Sequence, residues 1–236
     1  MRLQFPSGAP FNSAQLHNAG VSNALAAKYV HSGWLKRLEH GTYQFAGDEL
    51  DKEKTVRFLE ARIPGLHVAA KSAMERHGYR QNIAFEETTI LWAEGRGQLP
   101  RWASEQFRFR FSVRHLFSSD LPIERRVGRL PDAPLGPLVS QPECALLEML
   151  SEVGVTLGVE EARGIMEVVV RVRSSRMIEA VAACRMVKAV RLCVLWAEEF
   201  GFAWSDAVRA AVPKEKRTGR WIGRCADGTT LNLPPI

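Results

Sequence analysis

Apolar and polar positions alternate along this chain in two different rhythms, and the rhythm changes five times. Near the start, Ser13 is placed to cap a short helix over Ala14–Ala19 that Gly20 stops. Ser22 then caps a second helix reaching about Ser32. A short glycine-containing turn between two helices sets them at a steep angle. The second helix is two-sided. At about 100° per residue, Asn23, Ala27, His31 and Lys28 share one arc, and Leu25, Tyr29, Ala26 and Val30 share the other. A merely solvated face has the same pattern. Trp34–Glu39 then reads as a strand, His40-Gly41 as a two-residue turn, and Thr42–Phe45 as the returning strand.

Helix, turn, helix and hairpin follow the order of a winged helix-turn-helix. In that arrangement the second helix enters the major groove and the hairpin touches backbone or minor groove. Ser22, Asn23, Ala27, Lys28 and His31 then face DNA from the helix, with Lys36, Arg37 and His40 on the wing. Asn23 suits bidentate contact to adenine, whereas Lys36 and Arg37 suit phosphate, which positions without specifying sequence.

The polar stretch Ala46–Lys54 marks a boundary between a DNA-binding unit, 1–47, and a larger α+β unit, 48–236. Residues 48–130 read as mixed. Helices are expected over Thr55–Ile63 and Ala69–His77, and strands over Thr88–Ala93 and Phe107–Leu116. In the last, Phe107, Phe109, Phe111 and Val113 alternate with Arg108, Arg110 and Ser112, the pattern of a half-buried antiparallel strand. Pro131, Pro134, Pro137 and Pro142 make a rigid connector. Residues 142–236 read as mainly helical, over Glu143–Ser151, Val159–Val172, Arg176–Cys184, Val187–Phe200 and Ser205–Val212, and close on a hairpin, Gly219–Leu233.

Composition changes this picture little. The chain has 236 residues, 46% of them hydrophobic, ordinary material for a globular protein with a sizeable core. No apolar run approaches the roughly 20 residues that span a bilayer, and the first residues do not read as a secretion signal, so a cytoplasmic location is expected. Cys144, Cys184, Cys193 and Cys225 stand too far apart for a metal or redox motif and read as buried thiols. No metal and no cofactor is expected.

Charge is more informative. The net charge is +6, but its distribution is uneven. Residues 1–47 carry four basic side chains against one acidic, 48–162 carry 15 against 18, and 163–224 carry 13 against 6. Arg185, Lys188 and Arg191 fall three residues apart on one helical face and mark a basic surface for DNA, RNA or an acidic partner, with a solvated face as the plainer reading. Enzyme motifs are missing. None of the eight lysines has an acidic residue two positions before it, as a common nuclease core requires, and there is no Gly-x-Ser-x-Gly, phosphate-binding glycine loop or His-Glu-x-x-His. No catalytic residue is assigned. A nucleic-acid-processing enzyme, or its DNA-binding accessory subunit, is the alternative.

Ordered along the chain, Gly20-Val21-Ser22, Tyr29–Leu35, Gly41-Thr42-Tyr43, His67–Ala73, Gly78-Tyr79, Leu99–Trp102, Leu116-Phe117, Pro142-Glu143, Cys184–Leu192, Leu195–Glu198, Gly219-Arg220 and Leu233-Pro234 resemble the AbiEi family of type IV antitoxins. The resemblance implies an antitoxin whose winged helix represses its own operon by binding operator DNA. It implies a nucleotidyltransferase-like toxin as functional partner. The chain itself is expected to be a monomer or weak dimer. It also implies a further helix before Ser13, packing behind the other two. Pro6 and Gly8 interrupt that stretch, so the helix is expected to be short or absent, or to start upstream, and the small unit to lean on the larger one.

Overall fold

The computed structural model describes residues 5–80, 88–169 and 171–236, and it is mixed α+β. The first five elements are β1 (Phe11–Asn12), α1 (Ser13–Asn18), α2 (Asn23–His31), β2 (Leu35–Glu39) and β3 (Thr42–Phe45). The cap of α1 is Asn12 rather than Ser13. The Asn12 side chain accepts from the Gln15 amide at 2.9 Å, and the Gln15 side chain accepts from the Asn12 amide at 2.8 Å. Gln15 stands at the third helical position, so the reciprocal box selects Asn12. Ser22 caps α2 as expected, accepting from the Leu25 amide at 3.2 Å.

The three strands form an antiparallel sheet in the order β1-β3-β2. The register of β2 shifts between Arg37 and Glu39, leaving Leu38 as the extra residue of a bulge, which sharpens the twist of the hairpin. Gly41, at φ 71°, supplies the left-handed conformation of the tight turn. Phe11, Leu16, Val21, Ala26, Leu35 and Phe45 are buried together. Residues 5–10 contain no helix. Phe5 instead covers this small core, its ring 4.6 Å from that of Phe11 and 6.3 Å from that of Phe45.

The larger part begins with α3 (Lys52–Glu60), β4 (His67–Val68), α4 (Ala70–Arg76), β5 (Thr89–Ala93), α5 (Arg101–Gln106) and β6 (Phe109–Val113). It continues through α6 (Ile123–Arg126), β7 (Val127–Gly128) and β8 (Val139–Ser140). The sheet order is β6-β5-β4-β8-β7. Two expectations change here. Strand β6 runs parallel to β5, because the intervening chain crosses over through α5 instead of turning back as a hairpin. The proline-rich connector ends in β8, which enters the sheet between β4 and β7 with Val139 and Ser140 buried. Two residues are too few for alternation to announce a strand.

The chain then runs through α7 (Pro142–Glu152), α8 (Val159–Glu167), α9 (Ser174–Ala183), α10 (Val187–Glu199), α11 (Ser205–Ala211) and α12 (Lys214–Arg217), closed by the hairpin β9 (Trp221–Arg224) and β10 (Thr230–Leu233). Helix α7 is buried on all sides, the signature of a central element. Its three carboxylates are therefore matched. Glu148 accepts from the Ala70 amide at 2.9 Å and the Ser140 hydroxyl at 2.8 Å, Glu143 pairs with Arg173, and Glu152 pairs with Arg110. Unpaired, each charge would strongly oppose burial.

The small unit leans on the body at several points. Arg62 donates to the Glu39 carboxylate from across the boundary, the Lys54 ammonium donates to the Ser7 carbonyl at 2.6 Å, and the Asp51 amide donates to the Gly8 carbonyl at 2.9 Å.

Candidate nucleic-acid interface

Helix α2 turns the two arcs of its sequence in opposite directions. Ser22 at its cap and Asn23, Ala24, Ala27, Lys28 and His31 along it are all exposed. Ala26 is buried, and Leu25, Tyr29 and Val30 pack against the small core. A capped helix of 9 residues thus presents its N-terminal turn outward, carrying one amide side chain and two nitrogenous side chains that can donate hydrogen bonds.

The adjoining hairpin adds charge at its exposed edge. Lys36, Arg37 and His40 are exposed. Arg37 folds over the turn, its Nη2 2.7 Å from His40 Nδ1 and its Nε donating to the Glu39 carbonyl at 3.3 Å. Lys36 is exposed on β2 beside it. Glu39 is the single acidic residue before Ala46, and it is directed at the body. Burial acts to raise its pKa, but bonds from Arg62 and Thr42 outweigh that and hold the carboxyl below its usual value. Its charge is spent on the boundary contact, so the α2–hairpin face keeps its positive character.

The side chain that sequence reading missed is Trp34. It is 68% exposed, although its amide donates to the Tyr29 carbonyl and its carbonyl accepts from the Ala46 amide. The backbone is fixed while the indole projects between the end of α2 and the start of β2. The available signal was alternation: Leu35 points inward, so its neighbour had to point outward.

The second basic candidate divides. Arg185 is exposed, but Lys188 and Arg191 are not surface residues: they are 6% and 2% exposed. Arg191 reaches inside to carbonyl groups of the C-terminal segment. Nε donates to Lys216 at 2.9 Å, Nη2 to Thr218 at 2.5 Å, and Nη1 to Gly219 at 2.6 Å, with Pro234 at 3.2 Å and Leu233 at 3.4 Å. A guanidinium has five N–H groups in a planar fork, which lets one buried cation gather this many carbonyls. Lys188 donates to the Val153 carbonyl at 2.7 Å, and burial lowers its pKa. Arg185 stands before α10, and only Lys188 and Arg191 lie on the helix, three residues apart. Arg191 is covered by the chain's C-terminal segment, while Lys188 turns toward Val153.

Neighbouring cations are also engaged. Arg173 pairs with Glu143, Arg176 with Glu179, and Arg217 donates to the carbonyls of Val212 and Ala210. The four cysteines are buried, and burial pushes the Cys184 thiol up to about 11. Among the described residues, no three His, Cys, Asp or Glu side chains converge as metal ligands, and no helix is long and apolar enough to cross a membrane.

Comparison with known proteins places this architecture. Residues 1–85 match the family model described as the AbiEi antitoxin N-terminal domain, a transcriptional regulator. Residues 86–230 match the model described as a transcriptional regulator, AbiEi antitoxin, of the type IV toxin–antitoxin system. The chain belongs to the AbiEi family of antitoxin transcriptional regulators, which are regulators and not enzymes. Among solved structures it is similar to the RV2827C protein from Mycobacterium tuberculosis, with a TM-score of 0.57 and 16% identity over 92% of this chain and 84% of that one. That likeness concerns the fold. No curated protein matches.

Proposed function

We propose that this chain is the antitoxin of a type IV toxin–antitoxin system and that it represses its own operon through a winged helix-turn-helix formed by residues 1–47. In this reading α2 enters the major groove by its capped N-terminal end. Asn23 reads an adenine edge there, while Ala27, Lys28 and His31 line the groove side and Ser22 meets backbone. Lys36, Arg37 and His40 carry the wing onto phosphate. Residues 48–236 carry the antitoxin activity. Arg185 is retained as part of a basic surface toward a partner, without Lys188 and Arg191. The functional partner is a nucleotidyltransferase-like toxin, and the protein works in the cytoplasm as a monomer or weak dimer.

The carrying observation is the uncompensated exposed arc of α2. Its apolar arc packs on the small core, and Glu39, the single acidic side chain before Ala46, is paired with Arg62. The test is fluorescence anisotropy with duplex from upstream of the gene against a scrambled duplex of equal length, across a salt series. Tighter, salt-sensitive binding to the upstream duplex is expected. Equal affinity for both duplexes would sink the repressor reading. Co-expression with the product of the neighbouring reading frame tests the other half: growth restored by this chain supports antitoxin action, and unrelieved toxicity counts against it.

A further inference from the structure

A cavity of about 610 Å³ opens where the ends of β5 and β6 meet the turn after α7 and the segment leading into α10. Its volume lies within the roughly 300–1,000 Å³ usual for small-molecule sites. Two indoles contribute to its walls, Trp92 from β5 and Trp221 from β9, together with the apolar side chains of Leu116 and Val187. Trp92 is 3% exposed, and its buried indole N–H has no acceptor among the described residues. A buried indole N–H ordinarily finds one.

The polar lining is mostly cationic. Arg114, Arg185 and Lys188 all border the cavity, with His115 beside them. Backbone bonds fix where the two arginines stand: the Arg114 amide donates to the Ala93 carbonyl at 2.9 Å, and the Arg185 amide to the Leu116 carbonyl at 2.8 Å. Lys188 brings its ammonium to 6.0 Å from the centroid of the Trp221 ring. The single carboxylate in the lining, Glu152, is already paired with Arg110. Among the described residues no carboxylate pairs with Arg114 or Arg185. Three cations gathered around one concavity repel each other unless an anion joins them.

We infer that this cavity binds a nucleoside phosphate, with the base against the indole of Trp221, Trp92 buried in the wall behind, and the phosphate held by Arg114, Arg185 and Lys188. Flat aromatic walls take any base by stacking, and clustered cations require the charged end. A free nucleotide and the 5′-phosphorylated end of a strand offer the same chemistry. The site is separate from the α2–hairpin face and needs no property of it.

The test is isothermal titration calorimetry on the full chain with AMP, adenosine, inorganic phosphate and a 5′-phosphorylated tetranucleotide. AMP is expected to bind at least tenfold more tightly than adenosine or phosphate. The exposed pair Arg114→Ala/Arg185→Ala should weaken it tenfold or more at an unchanged melting temperature, with upstream-duplex binding also unchanged. If the tetranucleotide alone binds, with the same dependence on the two arginines, the ligand is a strand end. The inference is overturned if neither binds, if adenosine binds as well as AMP, or if the double variant binds as the parent does. It is also overturned if that variant loses duplex DNA as strongly as nucleotide.

Discussion

Helices α2 and α10 both carry basic side chains at helical spacing, yet they use them in opposite ways. Lys28 and His31 stand in solvent on a short helix, over a core of six buried apolar side chains. Lys188 and Arg191 are enclosed, and Arg191 binds the carbonyls of a segment that returns to cover it. The difference lies in what the rest of the chain does with its unsatisfied carbonyls. After α12 the chain runs irregularly through Thr218 and Gly219 before β9, and its end returns at Leu233 and Pro234. The carbonyls of Lys216, Thr218, Gly219, Leu233 and Pro234 converge there, and a buried acceptor requires a donor. Arg191 is that donor, so a basic stripe became a structural tie.

This contrast can be broken first at Arg191. Replacing Arg191 with Met removes a buried charge from a network of carbonyls and should cost about 3–5 kcal/mol of stability. Urea unfolding would show it as a lower midpoint, and a loss below about 1 kcal/mol would mean the carbonyls are satisfied without it. Arg191→Lys should recover only part, since a point-like ammonium cannot reproduce the planar fork.

On α2 the expectation is reversed: stability stays and recognition goes. Asn23→Ala should cost about 1–3 kcal/mol of discrimination at one adenine position, read from anisotropy on single-base variants of the preferred duplex. Lys28→Ala and Lys36→Ala should weaken all duplexes alike and each reduce the salt slope by about one. Their melting temperatures should match the parent. A destabilised Lys28→Ala protein would erase the contrast between the two helices.

The smallest effect sharpens the burial side of the comparison. Burial acts to raise the pKa of Glu143, but hydrogen bonds from the Arg173 side chain and amide prevail and leave it lowered. A carboxyl lowered in the folded state stabilises fully above its unfolded value, about 4.3, and that contribution disappears as pH falls through the folded value. Glu143→Gln should therefore unfold less steeply with acid over that window in a pH series of thermal melts, although it is less stable at neutral pH. An unchanged acid dependence would remove Glu143 from the account.

What sequence could show followed from the length of each pattern. The two faces of α2, its Ser22 cap and the Gly41 turn are local, and nine or more residues of periodicity define them. Strands β4, β7 and β8 are each two residues long, so they carry no period and only their partners make them strands. The direction of β6 depended on the path of the chain through α5. The burial of Arg191 depended on residues 25 to 43 positions away, which no local window contains. Family resemblance supplied a purpose for the N-terminal face, and alternation beside Leu35 could have placed Trp34 outward, while the cavity beside Trp221 emerged only from the structure.

The contacts of Arg62, Lys54 and Asp51 with the small unit have a mechanical consequence. They come from Asp51 and Lys54 at the start of α3 and from Arg62 just past its end, so α2 and its hairpin are not tethered on a swivel but mounted on a bracket. A swivelling unit docks with its own orientational freedom. A bracketed one brings the whole body's bulk and heading to whatever it meets, so in the proposed DNA-binding role the space occupied on either side of a site would be set by α3.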